Sequence, residues 1–237
     1  MKRFIISALC AASAVISGLA QDMFDSGDNN ARFGVRVAWD LTSPANNIGK
    51  FTDEETGIVS NADLFSNGSG FSIGGFYDIP LWKNLYFEPG LSLYYNTFGI
   101  NEIVGLDDMD MPLTIDGSVR NLGFRIPLLA GYRFDFTEDI SMSFLTGPQL
   151  NIGLNCKMHI NARNNVVSVS KSTSLYEGDG LHRLDLQWMF GVRFHYADNW
   201  FADLTGGIGM TNLINDKDAD GMHLRRNTFS IGVGYLF

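Results

Sequence analysis

The clearest candidate for metal chemistry is an acidic stretch near the carboxyl end of the chain. The run from Asp216 to Gly221, DKDADG, matches the D-x-D-x-D-G start of a calcium loop, in which alternate carboxylates wrap a hard cation. The position that should supply a bidentate glutamate is Asn227, and no helix pattern flanks the stretch. Calcium binding by Asp216, Asp218 and Asp220 and a solvated acidic loop therefore both stay open.

One histidine suggests acid–base chemistry. His195 is followed three residues later by Asp198, a pairing that a lipid-modifying hydrolase could use if a nucleophile lay nearby. No obvious nucleophilic serine accompanies the pair in the sequence. The alternative is a hydrogen-bonded histidine inside the fold, and on that interpretation we expect no enzyme activity.

Charged side chains of both signs recur along segments in which every second residue is apolar. Between positions 183 and 196, residues such as Leu184 and Trp188 alternate with Asp185 and Arg193. A period of two places successive side chains on opposite faces of a β-strand. The polar faces so defined carry Arg36, Glu88, Arg125, Arg133, Asp185, Arg193, His195 and Asp203.

Eight segments show this alternation, with varying regularity. The weakest is the second, because Phe76 falls on its otherwise polar face. The predicted strands are Arg32–Asp40, Gly70–Ile79, Leu85–Asn96, Asn121–Phe136, Ile140–Asn155, Arg183–Tyr196, Trp200–Thr211 and Asn227–Phe237.

The charged faces distinguish a membrane barrel from a soluble β-sandwich. A sandwich core could not bury unpaired charges of both signs cheaply, whereas a barrel places its apolar face against lipid and its polar face in an enclosed lumen. Many of the inward positions are glycine, which suits the narrow interior of a small barrel. The sequence therefore predicts an all-β fold: a single antiparallel, up-and-down transmembrane β-barrel of about eight strands, filled by its own side chains.

The connections between the predicted strands alternate in length. Residues 41–69, 99–118, 156–180 and 212–226 form long gaps, whereas 80–84, 137–139 and 197–199 form short ones. Outer-membrane barrels have short periplasmic turns and longer external loops, so both termini are expected in the periplasm. An aromatic belt is predicted at the short-turn end, formed by Tyr77, Phe87, Tyr132, Phe134, Tyr196, Trp200, Tyr235 and Phe237.

The first twenty residues read as an export signal. Lys2 and Arg3 precede an apolar run that is too short to span a bilayer, and Gly18-Leu19-Ala20 offers a cleavage site. We therefore expect residues 1–20 to be a signal peptide and residues 21–237 to be the barrel domain. The formal charge of −9 argues against a nucleic-acid partner. Cys156, the one cysteine of the expected mature chain, is interpreted as a loop residue.

Two segments carry a resemblance to a known family. The predicted strand NLGFRIPLLAGYRF at 121–134 resembles the IPLLLGYRF-like strand of the PorT-like outer-membrane β-barrel family. The terminal SIGVGYLF at 230–237 is similar to the carboxyl-terminal sequence that the barrel-assembly machinery reads. The resemblance implies a barrel in a Gram-negative outer membrane. Some members of that family serve type IX secretion and others have no assigned role.

The function expected from these features is a structural or interaction barrel that displays four long external loops. Its expected partners are outer-membrane lipid and lipopolysaccharide, the barrel-assembly machinery during insertion, and other envelope proteins. The alternative is an accessory subunit of an envelope transport or secretion system. No cofactor is expected, with calcium at the acidic loop left open.

Overall fold

The computed structural model describes residues 31–46, 49–52, 59–62, 65–106, 112–163, 168–177, 180–197, 199–215 and 223–237. The expected signal peptide lies outside these residues. All of the regular structure described is β-strand. The strands are β1 (Arg32–Asn46), β2 (Gly49–Thr52), β3 (Val59–Ala62), β4 (Phe65–Trp82), β5 (Leu85–Leu106), β6 (Pro112–Asp135), β7 (Ile140–Arg163), β8 (Ser168–Ser174), β9 (Leu184–Tyr196), β10 (Trp200–Gly209) and β11 (Leu224–Leu236).

Eight of these strands close into a ring. The antiparallel order β6-β5-β4-β1-β11-β10-β9-β7 is completed by pairing of β6 with β7. The first and last strands are neighbours, and the Phe237 amide donates to the Phe33 carbonyl at 2.8 Å. Closure leaves no unpaired edge along the ring, which a strand in lipid could not tolerate. The predicted eight-stranded antiparallel barrel is confirmed.

The ends of the barrel differ in their connections. Short turns join β4 to β5, β6 to β7 and β9 to β10 at one end, the short-turn end. Lys83 and Ala197, in two of these turns, both have a φ of 49°. The longer connections all lie at the opposite end, the long-loop end. This alternation agrees with the pattern of gaps in the sequence.

Four strands, β4 to β7, are much longer than the alternation predicted. β5 and β6 stay paired as far as Leu106 and Pro112, and β7 runs on to Arg163 and pairs there with β8. Gaps 99–118 and 156–180, expected to be loops, are therefore largely strand. The β2–β3 hairpin lies within the first long connection. Backbone hydrogen bonds continue these ladders after the apolar alternation has ended, so side-chain periodicity alone did not reveal them.

The wall has the polarity of a membrane barrel. Trp39 on the outer face is 51% exposed, whereas the adjacent Asp40 on the inner face is 0% exposed. The same reversal recurs around the ring, with aromatic and aliphatic side chains outside and charged or small polar side chains buried inside. Among the described residues, no helix is long and apolar enough to cross a membrane.

Candidate functional site

The middle of the lumen is crossed by a chain of ion pairs. Arg193 on β9 contacts Glu88 on β5 through both terminal nitrogens, with Nη2 3.0 Å from Oε1. The Arg193 Nε lies 3.6 Å from Asp203 on β10, and Asp203 also accepts from Arg36 on β1 at 2.6 Å. These contacts join four strands through the interior, so the charges stabilise one another in place of water.

Two aromatic rings enclose Arg193. Its guanidinium lies 4.6 Å from the centroid of Phe76 and 4.4 Å from that of Phe201, and the two rings meet edge to face. Phe76, which appeared out of place in the second predicted strand, therefore fills the lumen. Gly34 leaves the space that its ring occupies, since a Cβ at Gly34 would overlap the Phe76 side chain. A cation flanked by ring faces is favourably placed once water is excluded.

A second ion pair lies nearer the long-loop end. Arg125 on β6 donates to Asp40 on β1 at 2.7 Å, and both side chains are buried. Ser72 and Ser230 also donate to Asp40 from the neighbouring strands. Asp40 therefore has three donors, which satisfy the hydrogen-bonding capacity of its buried carboxylate.

The third layer of charge centres on Asp185. Arg226 on β11 donates to it at 2.7 Å. The Tyr94 ring lies beneath the guanidinium groups of both Arg125 and Arg226, at 4.6 and 5.2 Å from the ring centroid. Asp185 also accepts, at 3.1 Å each, from Asn151, Gln187 and Thr211.

An apolar cluster closes the lumen at the long-loop end. It consists of Phe65, Phe98, Val119, Cys156, Leu213 and Leu224. Tyr176, after β8, packs against it and donates to Asn121 at 3.2 Å, and burial raises the pKa of the Tyr176 hydroxyl so that it stays protonated. Cys156, expected in a loop, lies on β7 within this plug and is 1% exposed. Only about 30 Å³ of space remains there.

The short-turn end is more open. A cavity of about 480 Å³ reaches in from this end, and Asp78, Tyr86 and Arg133 contribute to its lining. Arg133 lies 3.5 Å from Asp78, a loose ion pair. Both Asp78 carboxylate oxygens, the Tyr86 hydroxyl and the Arg133 Nε have no hydrogen-bond partner among the described residues. This end of the lumen therefore offers polar groups and space together.

His195 contacts a serine that the sequence reasoning missed. Its Nε2 lies 3.0 Å from the Ser143 Oγ, on the neighbouring strand β7. The two residues are 52 positions apart, so only strand pairing reveals the contact. Ser143 is 0% exposed, so the pair is enclosed within the lumen. Asp198, the proposed partner of His195, lies outside the described residues.

The sequence matches the model of the outer membrane protein beta-barrel domain family over residues 7–237. The chain belongs to this family. The barrel is accordingly a protein of the bacterial outer membrane.

Solved structures of other outer-membrane barrels are similar in fold. Ail of Yersinia pestis is 16% identical, with 88% of this chain and 99% of that chain covered and a TM-score of 0.40. Neisserial surface protein A is 14% identical over 88% of this chain and 99% of its own, with a TM-score of 0.39. The outer-membrane protease OmpT of Escherichia coli is 9% identical over 90% and 99%, with a TM-score of 0.37. No curated protein matches the sequence.

The outer-membrane barrel directs the two sets of predicted residues to opposite faces. All eight residues of the predicted lumen network point inward. Four of them, Arg36, Glu88, Arg193 and Asp203, contact one another, and the other four contact lumen residues outside the predicted set. The eight belt aromatics lie on the outer face near the short turns, where Tyr132 and Phe134, Trp200 and Tyr235, and Tyr235 and Phe237 pack ring against ring.

The structure does not test the predicted calcium site. Asp216, Asp218 and Asp220 are not among the described residues, so calcium binding stays a prediction. In the described ranges, no group of three or more His, Cys, Asp or Glu side chains is arranged to hold a metal ion.

Several lumen residues were absent from the sequence-based set. Asp40 could have been identified from the alternation, because it lies on the same inward face as Arg36 within the same predicted strand. Arg226 preceded the predicted start of the last strand by one residue. The remainder, Asp78, Tyr94, Ser143, Asn151 and Gln187, are polar side chains whose partners become visible only when strands are placed side by side.

Proposed function

We propose that this outer-membrane barrel is a structural and interaction protein, which anchors and displays four long loops at the cell surface. On this proposal residues 1–20 are removed on export, the short turns and both termini are periplasmic, and the barrel-assembly machinery inserts the chain. The observation that carries the proposal is the filled lumen, because a barrel without a passage leaves its loops as the main surface for recognition.

The filling extends through successive layers of the barrel. Ion pairs occupy the levels of Arg193, Arg125 and Arg226, and the apolar plug lies beyond them. A cavity between Arg36, Arg125 and Arg193 has a volume of about 60 Å³, enough for a few water molecules at most. We therefore expect that liposomes containing the purified barrel will not swell in solutions of arabinose or larger sugars, because these sugars cannot pass through the lumen. Swelling at the rate of a general porin would contradict the proposal.

The length of the central strands supports an external role. On β6 the outward residues from Phe134 to Leu122 are mostly apolar. Their twelve-residue separation corresponds to about 30 Å along the axis at about 3.4 Å per residue and a tilt of about 40°. That distance matches the hydrocarbon thickness of a bilayer. The strand continues from Arg120 to Pro112 beyond this band, so the β5–β6 and β7–β8 hairpins project out of the membrane.

Site-directed labelling tests the orientation. Cysteine is introduced at Thr137 in a short turn or at Lys171 on β8, with a membrane-impermeant maleimide as the probe on intact cells. Lys171→Cys should be labelled in intact cells, and Thr137→Cys only after the outer membrane is permeabilised. The native Cys156 is buried and provides the unlabelled background. The reverse pattern would contradict the proposed display of the long loops.

A second candidate function, an accessory subunit of an envelope secretion or transport system, is supported by the cavity at the short-turn end. Its volume of about 480 Å³ lies in the range of ligand sites, and a periplasmic segment of another protein could enter it. The resemblance to PorT-like proteins also favours this candidate. Photo-crosslinking from Asn84, which lines the cavity, should capture a specific envelope protein if the candidate is right. Photo-crosslinking from Lys171, at the opposite end of the barrel, is the control. If both positions capture the same set of proteins, the result would count against this candidate.

The proposal assigns no catalytic step. A lipid-modifying hydrolase would need a nucleophile that substrate can reach, and Ser143 is enclosed within the lumen beside His195. The lipid A profile of cells with and without the protein should therefore be the same.

A further inference from the structure

Two cations lie side by side on the outer wall, just beyond the apolar band. Arg120 on β6 is directly opposite Lys157 on β7, and both are exposed. Neither has an ion-pair partner among the described residues. Like charges directly opposite each other in an antiparallel pair destabilise it, because their Cβ atoms are only about 5 Å apart. An anion held between them would remove that repulsion.

The depth of this pair is that of a lipid headgroup. On β6, Arg120 is the next outward residue after Leu122, and on β7 Lys157 follows Leu154 and Asn155 on the outer face. Leu154 and Phe124 are exposed apolar side chains at the edge of the band. An amphiphile that lies against this wall therefore meets apolar surface first and paired positive charge immediately after.

The surface beyond the pair offers hydrogen-bonding groups. Ser118 on β6 is opposite His159 on β7, and His159 is opposite Ser172 on β8. Along β6 the next carboxylate on this face is Asp116, which already accepts from Asn161 at 2.9 Å. Hydroxyl and imidazole groups are suited to sugar hydroxyls, whereas the two cations are suited to a phosphate.

We propose that the outer face of β6, β7 and β8 binds one lipid A headgroup, with a phosphate between Arg120 and Lys157. The acyl chains lie along Phe124 and Leu154, and the sugars lie towards Ser118 and Ser172. A bidentate guanidinium and an ammonium together provide the charge-assisted hydrogen bonds that a phosphate accepts. The assignment rests on the proposed orientation, which puts the long-loop end in the leaflet that contains lipid A.

The wall also provides a matched control. Arg225 on β11 is exposed on the outer face at the same end, and its partner on β1 is Ala45. It therefore carries the same charge without a second cation beside it. Arg225→Gln changes the net charge as much as Arg120→Gln does, but leaves the paired site intact.

The test measures lipid-dependent stabilisation of the full barrel in detergent micelles. The probes are bis-phosphorylated lipid A, the same lipid A with its phosphates removed, and phosphatidylglycerol. The readout is the apparent Tm, taken from the folded fraction on unheated gels, because a ligand that binds only the folded state raises Tm. The phosphorylated lipid A should give the largest increase with the native protein.

Removing both cations should remove most of the phosphate-dependent increase. In the R120Q/K157Q variant we expect apparent affinity for bis-phosphorylated lipid A to fall about tenfold for each cation lost, whereas R225Q should keep the native value. The variant in which the two cations are exchanged, R120K/K157R, should retain the effect. This exchange variant keeps both charges while it changes both side chains, so it distinguishes the effect of losing charge from the effect of disturbing the fold.

Three outcomes would overturn the assignment. The first is an unchanged phosphate-dependent increase in R120Q/K157Q, and the second is an equal loss in R225Q. The third is an equal increase with phosphatidylglycerol, which would make the site a general phospholipid contact. Labelling of Thr137→Cys in intact cells would contradict the display proposal, and with it the leaflet in which this face would meet lipid A. The binding measured in micelles would be unaffected, since it does not depend on orientation.

Discussion

Arg125 on β6 and Asp40 on β1 form a 2.7 Å ion pair across the lumen, although two strands separate β6 from β1 along the sheet. The contact therefore joins distant parts of the wall instead of adjacent strands. Arg193 and Glu88, on β9 and β5, are also separated by two strands. The lumen is thus cross-braced by ion pairs, and the wall and its contents form one structure.

Breaking one such brace should destabilise the barrel strongly. Arg125→Met leaves Asp40 buried without its cation, and we expect a loss of about 3–5 kcal/mol in the free energy of unfolding. Urea unfolding of the barrel in lipid vesicles, followed by tryptophan fluorescence, measures the loss. The double variant R125M/D40L should be more stable than R125M, because no unpaired charge remains. If R125M costs no more than the exposed variant K171Q, the pair does not brace the barrel.

The wall was predictable because one physical rule applies to every strand. Lipid outside and an enclosed interior require opposite polarity at successive positions, so Trp39 and Asp40 alone indicate which face is which. The same parity placed Arg36, Arg125 and Arg193 in the lumen. Their partners were harder to identify, because a partner depends on which strands face each other across a closed ring and not on spacing along one strand.

The long-loop end could not be predicted in the same way. Beyond the membrane, the inward positions of Phe98, Val119 and Leu224 are apolar, because this part of the barrel encloses a core as a water-soluble protein does. The polarity rule that identified the strands no longer holds there, and their extension was therefore predicted as loop. The acidic run at 216–220 lies outside the described residues.

Glycine should be required where an inward ring lies against the backbone of a neighbouring strand. A Cβ at Gly131 would overlap the ring of Tyr86 on the adjacent strand. Gly131→Ala should therefore lower the free energy of unfolding by about 1–3 kcal/mol, as overpacking does in tight cores. The urea titration described above is the measurement. In a Tyr86→Ala background the same substitution should cost little, and an equal cost in both backgrounds would show that the Tyr86 ring is not the cause.

Depth in the membrane should control the cost of a charge on the outer wall. Leu128 and Tyr132 have nearly equal exposure on the outer face of β6, 41% and 44%, but Leu128 lies nearer the middle of the apolar band. Leu128→Arg should cost about 2–4 kcal/mol in vesicles and Tyr132→Arg about 0–1 kcal/mol for the charge itself. Tyr132→Leu corrects for the lost aromatic ring. Equal costs at the two positions would contradict a wall that spans lipid with Tyr132 at the interface.

The thiol of Cys156 should report whether the apolar plug is closed. It is buried with Phe98, Val119 and Leu224, so maleimide should not react with it while the barrel is folded. Reaction in urea should rise together with loss of tryptophan fluorescence if the plug opens only on global unfolding. The Phe98→Ala variant leaves a void beside the thiol and should be labelled at lower urea concentrations than the native protein. Rapid labelling of the native barrel without urea would mean that the long-loop end opens independently of the wall, and the lumen would then be closed by its ion pairs alone.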